Sequence, residues 1–202
     1  AISRTVTLGR GEEAVGMIGS LAQLLRYNLQ DATTPATLAE EMSMVAEYLK
    51  IQQCRFPDRF RVVLDYSEPD ARRVYLPRFT LQPIVENAVL HGLEPKLGPG
   101  LLQVTVCRLP DGWHEVRIRD DGPGMAEETL RRLTSGQDAG TVGQVNAIGV
   151  FNTRRRLEIF TQCRDVFLIE SRPGEGTLVR LRIPPGQPEL LPPGKNREDH
   201  HV

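Results

Sequence analysis

Cysteine is scarce in this chain of 202 residues: there are three, Cys54, Cys107 and Cys163. Their number is odd, their spacing is wide and no C-x-x-C pair occurs, which argues against a disulfide framework and a zinc site. They read as small apolar residues in a reducing compartment. A charge excess is missing too, since 25 basic residues face 26 acidic ones for a formal net charge of -1. Neither nucleic acid nor an anionic membrane surface is therefore expected as a main partner. No run approaches the roughly 20 apolar residues that cross a bilayer. The opening Ala1-Ile2-Ser3-Arg4 lacks the shape of a signal peptide. There is no internal repeat. What is present, 40% hydrophobic residues, suffices for one ordinary globular core with at most a small appendage.

Residues from about Glu12 to Cys54 read as two helices. The first carries Val15, Ile18, Leu21, Leu25 and Leu29 at spacings of three and four; the second carries Leu38, Met42, Val45, Leu49 and Gln52. Between them, Asp31 to Pro35 is a stop-and-restart signal. Two amphipathic helices of this size need a partner surface, either the next domain or a second chain.

From Arg59 the period changes to two. Phe60, Val62, Leu64 and Tyr66 alternate as in a half-buried strand. A helix is expected from about Phe79 to Leu93, then strands over Leu101 to Arg108 and Trp113 to Asp120, joined by the turn Pro110-Asp111-Gly112. A short helix near Glu127 to Leu133 leads into a polar loop up to Asn146, long enough to suggest a functional lid. A helix from about Gly149 to Gln162 and strands over Asp165 to Ser171 and Thr177 to Pro184 complete the pattern. The proline-rich stretch from Pro185 reads as a disordered tail. The order gives an α+β layer with helices on one face of a sheet, divided as a helical segment 1–54, a domain 55–185 and a tail 186–202.

Four short stretches carry chemistry. In Leu81 to Gly92, the apolar residues Leu81, Ile84, Val85 and Ala88 form one stripe, while Asn87 and His91, four apart, share another face. An asparagine carbonyl oxygen is a hard neutral ligand suited to Mg²⁺. Glu86 projects about a quarter turn away. In the second stretch, Asp120 to Gly124, the strand alternation puts His114, Val116, Ile118 and Asp120 on the core face. A carboxylate there needs a partner, and an adenine amino group would serve. Gly122 and Gly124 would let the backbone approach a flat ring. In the third, Ala147 to Asn152, Gly149 at a helix start would offer amides to phosphate, with Asn152 placed to cap or to contact phosphate. Arg154 to Arg156 form a solvated face from which one arginine can reach a phosphate. In the fourth, Gly174 to Thr177, Thr177 is in register with Val179, Leu181 and Ile183, so its hydroxyl faces the same side as Asp120. Taken singly these are a polar helix face, an acidic turn, a helix start and a hairpin.

In order and spacing, the four stretches resemble the GHKL superfamily of ATP-binding domains, and within it the LytS-like sensor histidine kinases. Leu81 to Gly92 is similar to that family's N box, Asp120 to Gly124 to its first glycine box, Ile148 to Leu157 to its second, and Gly174 to Pro184 to its closing G-x-G-T strand. Upstream, Leu24-Leu25-Arg26-Tyr27, Glu40-Glu41, Tyr48 to Gln52 and Arg55-Phe56 resemble the segment that precedes the N box in this branch. The likeness covers roughly Ala14 to Pro184.

The resemblance implies a Bergerat-type two-layer α/β sandwich, a mixed sheet covered by helices with ATP under a lid, preceded by two helices. It implies Asn87 as the Mg²⁺ ligand and Asp120 as the adenine-reading carboxylate. Gly122, Gly124 and Gly149 would shape the pocket, with His91, Ile148, Asn152 and Thr177 beside the nucleotide and Glu86 as the acid beside the metal ligand. It implies phosphoryl transfer from ATP to a histidine upstream of this chain and on to a response regulator. It also implies a homodimer of the full-length protein and a bacterial sensor anchored in a membrane with this part in the cytoplasm. The chain is expected to be cut from a longer protein just after the acceptor histidine, and none of His91, His114, His200 and His201 is expected to be that acceptor.

The sequence departs from the pattern where Leu90 replaces a polar residue and where Ala147 replaces the first glycine of the second box. Two other readings follow. One is an ATP hydrolase on the same pocket, but those enzymes place an acid four residues before the metal-ligating asparagine, and here that residue is Pro83. The other is a degenerate nucleotide-binding scaffold that signals by dimerising.

Overall fold

A computed structural model describes residues 2–66, 69–135 and 145–185. Most of the expected lid loop, the expected tail and, with the tail, His200 and His201 lie outside the described residues. The side chains of Ala147 and Ile148 do as well, although their backbone belongs to a helix.

Helices α1 (Ile2–Thr7) and α2 (Gly11–Asn28) lead into α3 (Leu38–Arg55), which packs antiparallel to α2. The reversal between them is local chemistry. Asp31 Oδ1 accepts from the Thr33 amide at 2.9 Å and from the Thr33 hydroxyl at 2.8 Å, a turn of the kind aspartate favours. Helix α3 then begins with a reciprocal cap: Thr37 Oγ1 accepts from the Glu40 amide and Glu40 Oε2 accepts from the Thr37 amide. Its buried residues include Leu38, Met42, Val45 and Leu49, the stripe read from the sequence.

Helix α2 packs differently from its expected stripe. Its buried residues are Ala14, Met17, Ser20, Leu24 and Tyr27. The stripe itself faces outward, with Val15 70%, Ile18 53%, Leu21 42%, Leu25 53% and Leu29 86% exposed. Both sets have helical spacing, so periodicity alone could not choose between them. Polar anchors fix the choice. Ser20 Oγ donates to Glu47 Oε2 at 2.6 Å and the Tyr27 hydroxyl donates to Glu41 Oε1, both across to α3. Among the described residues, the following domain does not cover this stripe.

The chain then forms a five-stranded sheet in the order β2-β4-β5-β7-β6. These strands are β2 (Phe60–Asp65), β4 (Gly100–Arg108), β5 (His114–Asp120), β6 (Phe167–Arg172) and β7 (Gly176–Ile183). The pair β2–β4 is parallel and the other pairs are antiparallel. A small separate pair, β1 (Ala36–Thr37) with β3 (Tyr75–Leu76), ties the start of α3 to the domain. One sheet face carries Leu102, Val104, Val116, Ile118, Val179, Leu181 and Ile183, all buried. Covering it are α4 (Gln82–Asn87), the π-helical turns Ala88–Leu93 and α6 (Val145–Thr161), with α5 (Glu127–Ser135) beside the site end. The other face is polar, with Arg180 paired to Glu170 at 3.0 Å and Arg182 to Asp111 at 2.6 Å. This is the two-layer α+β arrangement that the resemblance implied.

Leu181 is fully buried, so Leu181→Ala should cost about 2–5 kcal/mol in urea unfolding. Thr37→Ala removes one side of the cap and should cost about 1 kcal/mol.

Candidate functional site

A cavity of about 380 Å³ opens between the sheet ends and the helices. Strands β5 and β7 supply one wall. Strand alternation carries Ile118 and Asp120 to the inner side, and the register sets Asp120 directly against Thr177. Asp120 is 4% exposed. Its Oδ1 accepts from the Gly122 amide at 2.9 Å. Burial pushes its carboxyl above the usual carboxylate range, against the opposing pull of the Gly122 and Thr177 amides. Its neighbour Asp121 is driven the other way. Burial raises it, but Lys96 at 2.6 Å and the Leu101 amide at 2.8 Å outweigh that and hold it below the usual range. Asp121 anchors the loop, and Asp120 faces the cavity.

Beside Asp120, Ser171 defines what Thr177 can offer. The Ser171 hydroxyl donates to the Gly176 carbonyl at 2.9 Å and accepts from the Met125 amide at 2.9 Å. A serine has one proton to give, so the Thr177 hydroxyl is the donor in its 3.0 Å contact with Ser171. That leaves the Thr177 lone pairs, next to the Asp120 carboxylate, as acceptors on this wall. The pair suits a ligand edge that donates hydrogen bonds.

Asn87 and His91 line the facing wall. Asn87 Nδ2 donates to the Pro83 carbonyl at 2.8 Å. A carbonyl can only accept, so this bond fixes which way the amide is turned. This leaves the Asn87 carbonyl oxygen, a hard ligand, and one N–H to present.

The helix that carries Asn87 is not the uniform one expected from Phe79 to Leu93. Phe79 has a left-handed φ of 59°, and the Thr80 hydroxyl donates to the Pro77 carbonyl at 2.5 Å. The segment before Gln82 is therefore a turn, and the helix widens into π turns after Asn87. The widening sits where the backbone comes closest to the sheet. A Cβ on Gly92 would lie 2.6 Å from Asp120 Cγ, and one on Gly122 would lie 2.3 Å from the Gly92 carbonyl oxygen. Gly122 thus packs backbone to backbone against Gly92, next to Asp120; it is buried and does not line the cavity. Gly124 does line the cavity, with a left-handed φ of 65°.

Three other candidates lie elsewhere. Glu86 is half-buried beside the cavity, its Oε1 accepting from Gln82 Nε2 at 2.8 Å. Gly149 is not at a helix start: α6 begins four residues earlier, at Val145, so the orphan amides of that helix precede it. Asn152 is exposed and off the cavity wall. The sequence reading missed Ser171, Met125 before α5, and the α5 wall of Thr129, Arg132 and Leu133. The α5 group recurs at helical spacing, a signal that was available; Arg132 also brings a cation to the cavity. Among the described residues no group of three or more His, Cys, Asp or Glu could hold a metal. No described helix is long and apolar enough to cross a membrane.

The family described as histidine kinase-, DNA gyrase B- and HSP90-like ATPase matches residues 77–187, more than half of the chain. The chain belongs to that ATPase family. A second family, described as histidine kinase, matches residues 1–60. The sensor protein LytS of Enterococcus faecalis is 32% identical over 180 residues, which are 89% of this chain and 30% of that protein. The sensor histidine kinase YpdA of Escherichia coli is 28% identical over 187 residues, 92% of this chain and 29% of that one. The chain thus spans about a third of the length of these curated relatives. Among solved structures, the catalytic domain of histidine kinase ThkA superposes with a TM-score of 0.57 at 18% identity, over 78% of this chain and 98% of that one. The histidine kinase domain of a blue-light-activated kinase from Erythrobacter litoralis gives 0.52 at 15%, over 89% and 82%. At these identities the structures speak for the fold alone.

Two substitutions separate the roles of the glycines. Gly92→Ala drives a methyl into Asp120 and should cost about 1–3 kcal/mol of stability, read by urea unfolding. In Gly149→Ala the methyl would meet only Pro83 Cβ, at 3.7 Å, and the midpoint should hold or rise slightly.

Asp120 also sets a pH dependence. Its folded pKa is raised, so its cost to stability is absent below the ordinary carboxylate pKa and grows as pH rises through the window above it. Asp120→Asn should therefore unfold at higher urea than wild type near neutrality. The two should converge as pH falls below the ordinary carboxylate range.

Proposed function

We propose that the cavity binds ATP with Mg²⁺ and presents its γ-phosphoryl group to a histidine outside this chain, from which an aspartate of a response regulator receives it. The observation that carries this reading is the placement of Asp120 and Asn87 on facing walls of one cavity. Asp120 and Thr177, two acceptors side by side, orient the adenine through its amino group. Asn87, its Nδ2 tied to Pro83, offers its carbonyl oxygen to Mg²⁺. One neutral protein ligand fits that ion, which keeps several waters and takes phosphate oxygens; bound there, it would neutralise charge on the phosphates. Arg132 and His91 lie on the walls left for the phosphates. The chain's own contribution is then positioning and charge complementarity. Glu86, off the cavity wall, is assigned to the side from which an acceptor histidine approaches.

The outward stripe of α2 supports a second copy of the chain as a partner. Val15, Ile18, Leu21 and Leu25 are each more than two-fifths exposed and run along one helix face. A homodimer through this face would cover the exposed stripe.

Calorimetric titration tests the site. Mg-ATP should bind wild type, and Asp120→Ala should weaken adenosine and Mg-ATP alike by at least about tenfold, or roughly 1.4 kcal/mol. Asn87→Ala should spare adenosine and lose the gain that Mg²⁺ confers. The chain alone should label none of its histidines with γ-phosphate but should label an added upstream segment. A labelled His91 would overturn the acceptor assignment. Rapid steady-state hydrolysis abolished by Glu86→Ala would make the chain an ATP hydrolase instead.

A further inference from the structure

The nucleotide site has an anchor that lies outside it. Glu41, in the first turns of α3, is 2% exposed, and four donors converge on its carboxylate. Oε1 accepts from the Phe79 amide at 2.8 Å and from the Tyr27 hydroxyl of α2. Oε2 accepts from the Thr80 and Leu81 amides, each at 2.9 Å. Those three amides form the turn that launches the helix bearing Asn87. The turn is held from other sides as well. Phe79 meets the Tyr27 ring edge-on at 5.2 Å, and the Arg78 guanidinium sits 4.9 Å over that ring. The Arg78 carbonyl accepts from Arg156 of α6.

We propose that Glu41 and Tyr27 are positioning residues for the nucleotide site: their clamp on residues 79–81 sets where the helix of Asn87 lies relative to Asp120. The connection is short and continuous. The Tyr27 hydroxyl bonds Glu41, Glu41 holds the amides of 79–81, and the first turn of α4 then supplies the Pro83 carbonyl that orients the Asn87 amide. Burying a carboxylate is costly unless its lone pairs are used, and a mere packing contact between α3 and α4 would not need one. What the carboxylate adds is direction: three consecutive amides meeting two oxygens fix both the position and the rotation of the turn. Asp120 and Thr177 are set by the sheet register, and the helical segment meets Asp120 at Gly92, beyond Asn87 and away from the clamped end. The Asn87 end of the helix wall can therefore shift while the sheet wall stays in place.

This inference rests on the Mg-nucleotide reading above and makes a prediction that simple destabilisation would not. In the full chain, Tyr27→Phe and Glu41→Gln should leave adenosine affinity unchanged. They should reduce the gain in ADP affinity conferred by Mg²⁺ by about tenfold, with Glu41→Gln the stronger because an amide nitrogen cannot accept. Binding to folded protein is confirmed by urea unfolding of the same samples, and Tyr27→Phe, which deletes one hydroxyl, keeps the test available if Glu41→Gln does not fold. Equal losses for adenosine and Mg-ADP, or no loss for either, would overturn the proposal. If wild type binds neither ligand, the nucleotide reading fails. Hydrogen exchange then decides the positioning alone: Tyr27→Phe should speed exchange in Gln82–Leu93 and spare His114–Asp120, and unchanged rates would overturn it.

Discussion

The structure depends on taking the Asp120 carboxylate out of water at the end of β5. That burial is achieved by backbone, not by side chains. Gly92, Gly122 and Gly176 each come so close that a Cβ would fall within 2.6 Å of a neighbouring atom. To bring Gly92 there, the helix after Asn87 widens into π turns, as helices often do at functional sites. The same approach seats Asn87 across the cavity from the sheet. One buried charge thus dictates the glycine positions, the helix distortion and the spacing of the two walls.

Glu41 shows the opposite solution to the same problem. Both carboxylates are almost fully buried, but Glu41 meets four donors drawn from two other segments. Asp120 has the amides of its own turn and strand pair, with burial the larger influence on its proton. A carboxylate saturated by fixed amides is an anchor. A carboxylate supported only locally and facing a cavity still has capacity for a ligand's donors. The contrast separates the part of the molecule that holds from the part that binds.

What could be read in the sequence follows from this division. The alternation from His114 to Asp120 placed Asp120 on the core side, because strand periodicity is a local property of the backbone. The same holds for Thr177 opposite it and for the stop signal at Asp31. Features set by distant partners were not legible. The stripe Val15-Ile18-Leu21-Leu25 calls for a partner, either the next domain or a second chain, and periodicity does not choose; Ser20 and Tyr27 turn the other face inward because Glu47 and Glu41 wait on α3. The left-handed Phe79 and the late start of the helix at Gln82 follow from Glu41, some forty positions away. Ser171 gained its part only from the register that sets it beside Thr177.

Pro83 shows how one residue narrows the chemistry on both sides of the site. It stands at the opening of α4, where the missing N–H of proline costs nothing because no intrahelical partner would be in place. Its carbonyl receives the Asn87 amide. A carboxylate at this position would compete with the main chain for the same Nδ2 protons. It would then turn or tether Asn87 through a titratable group. With proline, the orientation of Asn87 is set by backbone and does not vary with pH, and nothing at that position can activate water. On the proposed reading, such a site would hold a phosphoryl group without losing it to solvent, as transfer to a histidine outside this chain would require.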